Sequence, residues 1–277
     1  MIPAAFDYRR AETVEEALAA LSEHGDEAKL VAGGHSLLPM MKLRLAFPSV
    51  LVDVGRLSAL SYQRVEGDEV AIGALSRHSD LVSSTVLARE VPLLPHVAAH
   101  IGDRQIRHRG TIGGSLAHAD PAADLPVAVR ALGGTVVVQG PAGERRLDVA
   151  DFFVDYFETA LAPDEMVVEV RVPRCGGDGW GYQRFSRRAH DWAIVAVATV
   201  GGRVALANMG RVPVRAGATE RALAAGATVG EAAALADRDT EPTADGHAEP
   251  DYRRHLARLL TRRALESAHG RVPGAAR

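Results

Sequence analysis

The chain has 277 residues, of which 47% are hydrophobic and 24% charged, and its formal net charge is −3. These proportions are typical of a globular protein with two or three folding units, and so small a net charge excludes a global field that attracts nucleic acid or an anionic membrane. No apolar run approaches the ~20 residues that span a bilayer, and the N-terminus lacks a secretion signal, so we expect a cytoplasmic protein without a transmembrane segment.

The first 57 residues predict a small α/β unit. Thr13 and Glu16 fit a capping box at the start of a helix rich in alanine and leucine, and Gly25 is placed to end that helix. The alternation after it is that of a βαβ unit. The predicted elements are a strand over 29–32, a helix over 37–44 and a strand over 50–53.

Residues 58–175 predict a second α/β unit. Its clearest feature is a hairpin, because two β-prone runs flank the turn sequence GPAG. The glycine-dense segment CGGDG at 175–179 predicts a linker after this unit. The predicted elements are a strand over 69–75, a helix over 93–101, hairpin strands over 135–139 and 144–149, and a strand over 165–172.

The last unit starts near Trp180. Gly201-Gly202 divides two β-prone runs and predicts a strand, a turn and a second strand. The acidic segment 237–250 contains two prolines and predicts a mobile loop. The other predicted elements are strands over 193–200 and 203–208 and helices over 219–225 and 252–268.

Two glycine pairs are the strongest functional signal from residue chemistry. They lie in AGGHS (32–36) and TIGGS (111–115), and a hydroxyl follows each pair. Paired glycines allow several backbone N–H groups to point at one anion. One such pair is usually an ordinary turn, but two in similar settings favour a diphosphate held between two loops. The chain has neither GxGxxG after its first strand nor GxxxxGK[ST], so a Rossmann or P-loop site is not indicated.

Acidic and histidine side chains accompany these loops. Asp120 and Asp124 could accept hydrogen bonds from sugar or ribityl hydroxyls, or one of them could cap the helix after Pro126. His35 and His118 suit positioning roles, because neither has a Ser or Cys nucleophile partner visible in the sequence. The histidines match no metal-binding motif, so we expect no metal ligand and no dedicated catalytic residue.

Three other features bear on chemistry. Cys175 is the only cysteine, and one thiol cannot hold an iron–sulfur cluster that normally takes four. Electron transfer by this chain therefore requires an organic cofactor. The mixed-charge run 103–109 is typical of a solvated helix end. The segment 186–192 is either a basic strand end or a polar loop that places Trp192 near a cofactor ring.

Two longer strings carry a family resemblance. AGGHSLLPMMKLR (32–44) and RHRGTIGGSLAHADPAADLP (107–126) resemble the two FAD-binding signatures of the medium, flavoprotein subunit of aerobic carbon monoxide dehydrogenase and related molybdenum hydroxylases of the xanthine oxidase family. NMGRVPVRA (208–216) and DYRRHLARLLTRRAL (251–265) look like the C-terminal domain of those subunits. The resemblance covers the whole chain, and the two signatures in this order are highly specific.

The resemblance implies an α+β fold. An FAD-binding domain of two α/β subdomains, of the PCMH type, would precede a small C-terminal domain with an antiparallel sheet packed by helices. We expect the FAD-binding domain over 1–175, with subdomains at about 1–57 and 58–175, and the C-terminal domain over 176–277.

The resemblance also implies the FAD contacts. Ala32 to Ser36 and Thr111 to Ser115 would wrap the pyrophosphate, and Asp124 would bind the ribityl or adjacent hydroxyls. Trp192 occupies a position where the carbon monoxide dehydrogenase type usually has a tyrosine near the isoalloxazine, which is a departure from the family pattern. The full expected set is Ala32, Gly33, Gly34, His35, Ser36, Leu37, Ile101, Thr111, Ile112, Gly113, Gly114, Ser115, Ala117, Asp120, Asp124, Val167 and Trp192.

In this family, a large subunit oxidises the substrate at a molybdenum cofactor and a small subunit carries two [2Fe-2S] clusters. The resemblance therefore implies an oxidoreductase subunit that passes electrons through FAD to quinone, oxygen or NAD within a dimer of heterotrimers. The single cysteine argues against relatives with an inserted [4Fe-4S] cluster. Two alternatives are a self-sufficient FAD-dependent oxidoreductase of the same superfamily and a non-redox module whose glycine pairs are only turns.

Overall fold

The first unit is a three-stranded parallel sheet with helices in its connections. The structure, a computed structural model, describes residues 2–270. The sheet order is β1–β3–β2, and the first three residues of the central strand β3, VLVD, are buried. Thr13 Oγ1 accepts a hydrogen bond from the Glu16 N–H and so caps α1. The elements are β1 (Asp7–Arg10), α1 (Val14–His24), β2 (Ala28–Val31), α2 (Leu37–Lys42) and β3 (Val50–Asp53).

The second unit is a five-stranded antiparallel sheet covered by helices. Its strand order is β4–β5–β10–β6–β7, with the predicted hairpin formed by the last two strands. Its elements are β4 (Gln63–Glu66), β5 (Glu69–Gly73), α3 (His78–Ser83), α4 (Thr85–Glu90), α5 (Leu93–Ala99), α6 (Arg104–Arg109), α7 (Ile112–His118), α8 (Asp124–Leu132), β6 (Thr135–Gly140), β7 (Gly143–Asp148), α9 (Val149–Phe152), β8 (Phe153–Asp155), β9 (Glu158–Thr159) and β10 (Met166–Pro173).

The third unit is a four-stranded antiparallel sheet with the order β11–β12–β13–β14. The predicted loop over 237–250 lies between two of its helices. The elements are β11 (Trp180–Phe185), β12 (Val195–Val200), β13 (Arg203–Ala207), β14 (Val214–Arg215), α10 (Gly217–Ala224), α11 (Val229–Ala233) and α12 (Pro250–His269).

Strand β12 joins the second and third units because both of its faces are buried. All six of its residues, VAVATV, are buried. Ala196 and Ala198 share a core with α8, whereas Val195 and Val197 share another core with Leu256 and other residues of α12. A strand covered on both faces is expected to be apolar throughout, and each fully buried valine stabilises the fold by about 1.5–3 kcal/mol. The last sheet is therefore held between a helix of the preceding unit and the final helix.

Cys175 lies where the chain passes from β10 to β11. Its N–H donates to the Glu90 carbonyl at 2.8 Å, and its side chain is only 3% exposed. Burial raises the pKa of the thiol to about 12. The segment that the glycine pattern predicts as a linker is thus docked on the end of α4.

The observed α+β architecture confirms the predicted fold class, with small differences in detail. The first strand, DYRR, was not expected, because all four residues are exposed and carry no apolar pattern. The helix predicted over 93–101 ends at Ala99, so Ile101 follows it. No helix within residues 2–270 has the length and apolar character to cross a membrane.

Candidate cofactor-binding site

The two glycine loops predicted from the sequence lie against each other. A Cβ atom on Gly33 would be 2.3 Å from the Arg109 carbonyl oxygen and 2.9 Å from the Cα of Gly110, so only glycine fits this contact. Gly110 directly precedes the second loop, which begins at Thr111. Gly34 has a φ of +73°, a backbone conformation that favours glycine. Folding thus places the loops that follow β2 and α6 side by side.

The first loop has the open backbone donors of an anion-binding nest. Within residues 2–270, no protein group accepts a hydrogen bond from the N–H of Gly33, Gly34, His35 or Ser36. The side chain of His35 is exposed, and those of Ser36 and Leu37 are half-buried. Successive N–H groups near a residue with positive φ form a concave site suited to phosphate oxygens. This loop therefore matches the diphosphate that the sequence pattern predicts.

The second loop is built differently, because it forms the first turn of α7. The N–H groups of Ile112 and Gly113 donate to the carbonyls of Ser76 and Ala74 at 3.1 and 2.8 Å. The Gly114 N–H donates to Oγ1 of Thr111, the N-cap, at 3.2 Å. These donors are already engaged inside the protein, so the loop does not repeat the nest of the first. Its outward contribution comes from exposed Gly114 and Ala117 and the half-buried Ser115.

His78 lies at the junction of the two loops and was not predicted as a site residue. It is 6% exposed, and its backbone N–H donates to the Gly110 carbonyl at 2.9 Å. A Cβ on Gly110 would be 2.5 Å from the His78 Nε2 atom. Burial lowers the pKa of His78 to about 4, helped by the charges of His35 and Arg107. No motif pointed to this histidine, since its role depends on contacts with residues distant in sequence.

Asp120 and Asp124 follow the second loop and occupy different environments. Oδ1 of Asp120 accepts from the Ala122 N–H at 2.8 Å, and burial raises the pKa of this carboxyl. Asp124 is the first residue of α8 and is 5% exposed. The N-cap of α8 is Ala123, and no side chain caps it. The alternative in which one of these aspartates caps the helix is therefore not what the structure shows.

Residues of the third unit hold the Asp124 carboxylate. The Tyr182 hydroxyl donates a short hydrogen bond to its Oδ1 atom, and Nε of Arg184 lies 3.5 Å from the same atom. Burial raises the pKa of Asp124, although the Arg184 charge and the Tyr182 hydrogen bond oppose the shift. Burial and the neighbouring carboxylate raise the pKa of Tyr182 as well. The first turn of α8 is thus fastened to β11 by polar contacts in a buried setting.

The remaining predicted contacts are Val167, Ile101 and Trp192, and His118 was expected only to suit a positioning role. Val167 is a buried residue of β10 opposite Val138 of β6. Ile101 is half-buried, and its carbonyl accepts from Nη1 of Arg107 at 2.8 Å. Trp192 is 57% exposed at the end of the 186–192 loop. His118 is half-buried with its ring centroid 5.1 Å from that of Phe157.

Comparison with known proteins agrees with this architecture. A family model described as the FAD binding domain in molybdopterin dehydrogenase matches residues 4–175. A second, described as the CO dehydrogenase flavoprotein C-terminal domain, matches residues 180–268. A chain whose successive domains match these two models is an FAD-binding flavoprotein.

Individual relatives identify the family. The carbon monoxide dehydrogenase medium chain of Hydrogenophaga pseudoflava is 40% identical, with 98% of this chain and 99% of that protein covered. The 6-hydroxypseudooxynicotine dehydrogenase complex subunit alpha of Paenarthrobacter nicotinovorans is 38% identical, with 97% and 96% covered. A solved Hydrogenophaga pseudoflava carbon monoxide dehydrogenase contains a chain with a TM-score of 0.94 and 41% identity, covering 98% of this chain and 100% of its own. This chain belongs to the family of FAD-carrying medium subunits of carbon monoxide dehydrogenase-like molybdenum hydroxylases, which are oxidoreductases.

Proposed function

We propose that this subunit takes electrons from [2Fe-2S] clusters of a partner subunit and passes them through FAD to an external acceptor. The observation that carries the proposal is the contact between the two glycine loops at Gly33 and Arg109, with open backbone N–H groups beside it. When bound, FAD supplies the ability to exchange one or two electrons. The protein's part is to bind the cofactor, orient it and exclude water.

We propose the following roles for individual residues. Ala32 to Ser36 supply backbone donors for the diphosphate, and Thr111 to Ser115 border the same space through the Gly33 contact. Leu37, Ile101, Ala117, Val167 and Trp192 supply the apolar surroundings of the cofactor. Asp120 and Asp124 would accept hydrogen bonds from its hydroxyl groups. None of these groups has to act as a general acid or base, so we propose no dedicated catalytic residue.

The partners follow from the division of labour in such complexes. Cys175, the only cysteine, cannot ligate a cluster alone, so the [2Fe-2S] clusters of the proposed route have to belong to another chain. Relatives are named as a medium chain or as one subunit of a dehydrogenase complex. We infer that a large subunit with the molybdenum cofactor and a small subunit with two [2Fe-2S] clusters complete the enzyme, as a dimer of heterotrimers located in the cytoplasm.

An absorbance spectrum of the purified chain, alone and after mixing with FAD, tests cofactor binding. Flavin bands that move to the supernatant after acid precipitation establish noncovalent FAD. Bands that stay in the precipitate indicate covalent flavin and support the self-sufficient oxidoreductase instead. A chain without flavin bands even after FAD addition, in isolation and within its purified complex, contradicts the proposed placement of the diphosphate.

Electron routing needs a second experiment with the complete complex. Substrate is added anaerobically, and stopped-flow absorbance follows the clusters and the flavin. We expect cluster reduction to precede flavin reduction, and removal of FAD to stop electron delivery to the acceptor while cluster reduction continues. Flavin reduction before the clusters contradicts the proposed order.

A further inference from the structure

Arg184 connects three separate segments around the candidate site. Its Nη1 group donates to the His100 carbonyl at 2.9 Å, and its Nη2 group donates to the Asp191 carbonyl at 2.6 Å. Its Nε atom lies 3.5 Å from the Asp124 carboxylate, and its side chain is only 10% exposed. One guanidinium therefore touches the end of α5, the start of α8 and the 186–192 loop.

These contacts lie next to two residues expected to border the flavin. The His100 carbonyl belongs to the peptide that continues into Ile101, and the Asp191 carbonyl belongs to the peptide that continues into Trp192. The planar fork of an arginine presents several donors at fixed angles. A single rigid group thus sets the distance between these two peptides, and the Asp124 charge offsets the burial of the cation.

The 186–192 loop has few other attachments. Arg187, Arg188 and Ala189 are exposed, as is Trp192 itself. One further contact with the 100–102 segment joins His190 Nδ1 to the Gly102 carbonyl at 3.0 Å. A loop with little buried apolar surface opens at low free energy unless specific bonds hold it. On the C-terminal side of Trp192, Ala193 is 2% exposed and its carbonyl accepts from Asn208 Nδ2 at 3.0 Å. On the N-terminal side, the peptide between Asp191 and Trp192 is held by Arg184, so the course of the loop up to Trp192 depends on Arg184.

We propose that Arg184 is a positioning residue that fixes Trp192 relative to Ile101 and thereby sets the exposure of the flavin ring to its external acceptor. The proposal rests on the proposed function, because it assumes that both residues border FAD. Arg184 touches neither the acceptor nor the reacting atoms. It acts through the two peptides that it holds, so its loss alters the placement of Trp192 more than the retention of FAD.

The test uses the full chain with 5-fluorotryptophan at its two tryptophan positions, Trp180 and Trp192. ¹⁹F NMR spectra are recorded with and without FAD, and Trp192→Phe assigns the two resonances. In the parent chain we expect FAD to shift the Trp192 resonance. In Arg184→Gln we expect FAD no longer to shift the Trp192 resonance. We also expect the H₂O/D₂O isotope shift of this resonance, which reports solvent exposure, to be larger than in the parent chain. Arg187→Gln, in the same loop but exposed, is the matched control and keeps the parent spectrum.

Further readouts separate positioning from a general loss of structure. In the assembled complex, we expect Arg184→Gln to change the KM for the external acceptor and the midpoint potential of the bound FAD. Arg184→Lys keeps the buried charge beside Asp124 and restores part of both values. If Arg184→Gln does not fold, Arg184→Lys alone carries the test, since a lysine ammonium cannot reproduce the two-pronged contact.

Two outcomes contradict different parts of the proposal, one the placement of the cofactor and the other the role of Arg184. If FAD binds but leaves the parent Trp192 resonance unchanged, Trp192 does not border the flavin and the proposed placement of the cofactor fails. If FAD shifts that resonance equally in the parent chain and in both Arg184 variants, the cofactor placement stands and the positioning role of Arg184 is refuted.

Discussion

Tyr182 donates its hydroxyl hydrogen to the carboxylate of Asp124, and this buried bond crosses from the third unit to the second. Removing the hydroxyl while keeping the ring leaves a buried carboxylate oxygen without its donor. We expect Tyr182→Phe to lower the free energy of unfolding by about 1–3 kcal/mol, the usual penalty for an unsatisfied buried group. Urea denaturation of the chain measures it. Tyr252→Phe, at a tyrosine that is 44% exposed, is the control, and an equal loss there contradicts the assignment.

Gly33 packs against the backbone of Arg109 and Gly110, so a methyl group at Gly33 is expected to destabilise the folded chain with or without FAD. In Gly33→Ala the new Cβ meets the Arg109 carbonyl at 2.3 Å unless the loops separate. We expect a loss of about 1–3 kcal/mol in the free energy of unfolding, as for other overpacked sites, and this loss persists in chain stripped of FAD. Thermal unfolding of the stripped chain measures it. An unchanged melting temperature shows that the loops are not in tight contact.

A substitution at Gly114 tests whether the second glycine loop borders the cofactor. It is exposed, and a Cβ there meets only Oγ1 of Thr111, at 2.8 Å. We expect Gly114→Leu to abolish FAD retention on gel filtration and to cost the stripped chain only the ~0.5–2 kcal/mol of a disturbed helix N-cap. Gly177→Leu, in the linker where a Cβ meets nothing within 4 Å, serves as control. Full flavin occupancy in Gly114→Leu indicates that the second loop does not border the cofactor.

His78 makes stability depend on pH. Its pKa is about 4 in the folded chain and about 6.5 when unfolded, so the unfolded state binds more protons between these values. Stability is therefore complete above pH 6.5 and falls as the pH drops toward 4. We expect the free energy of unfolding to drop by about 2 kcal/mol more in the parent than in His78→Gln between pH 7.5 and 5.

Equilibrium denaturation at several pH values gives this difference. His108, which is exposed two residues before Gly110, supplies the control variant His108→Gln, and it should follow the pH profile of the parent. Parallel profiles for the parent and His78→Gln mean that His78 is not buried as a neutral imidazole.

Arg253 holds the acidic 237–250 loop in place. It is 1% exposed, donates to the Ile194 carbonyl at 2.5 Å and lies 2.6 Å from the Asp245 carboxylate. Without it, local opening of the loop requires less free energy. We expect Arg253→Gln to be cleaved faster in this loop by a protease specific for acidic residues. Arg254→Gln is the control on the same helix, because Arg254 pairs with Asp251 of that helix and not with the loop within residues 2–270. Equal cleavage rates contradict the role of Arg253.

Local patterns were sufficient for much of the fold. The hairpin predicted around GPAG forms between β6 and β7, because two β-prone runs flank a tight turn. The first strand, Asp7–Arg10, was not predicted, because it pairs with β3 at the edge of the sheet without burying any side chain. Its extended conformation depends on pairing with a strand distant in sequence, and a local sequence pattern does not reveal such pairing.

The candidate site was predictable only in part. The glycine pairs were visible as motifs, since their spacing and neighbours are local. The contact of Gly33 with Arg109, and that of Asp124 with Tyr182 58 residues away, depend on tertiary packing. The sequence also could not show that the N–H groups of the second loop are already hydrogen-bonded. Their acceptors are the carbonyls of Ala74 and Ser76, which lie in an earlier segment of the chain.

The buried thiol of Cys175 has a practical consequence for labelling. Maleimides and similar reagents attack the thiolate, and this thiol is 3% exposed with a pKa of about 12. The chain therefore behaves toward such reagents as if it had no cysteine. A cysteine introduced at an exposed position, such as Ala189, would be the only one to react, so a single fluorophore or spin label could be attached without first removing the native residue.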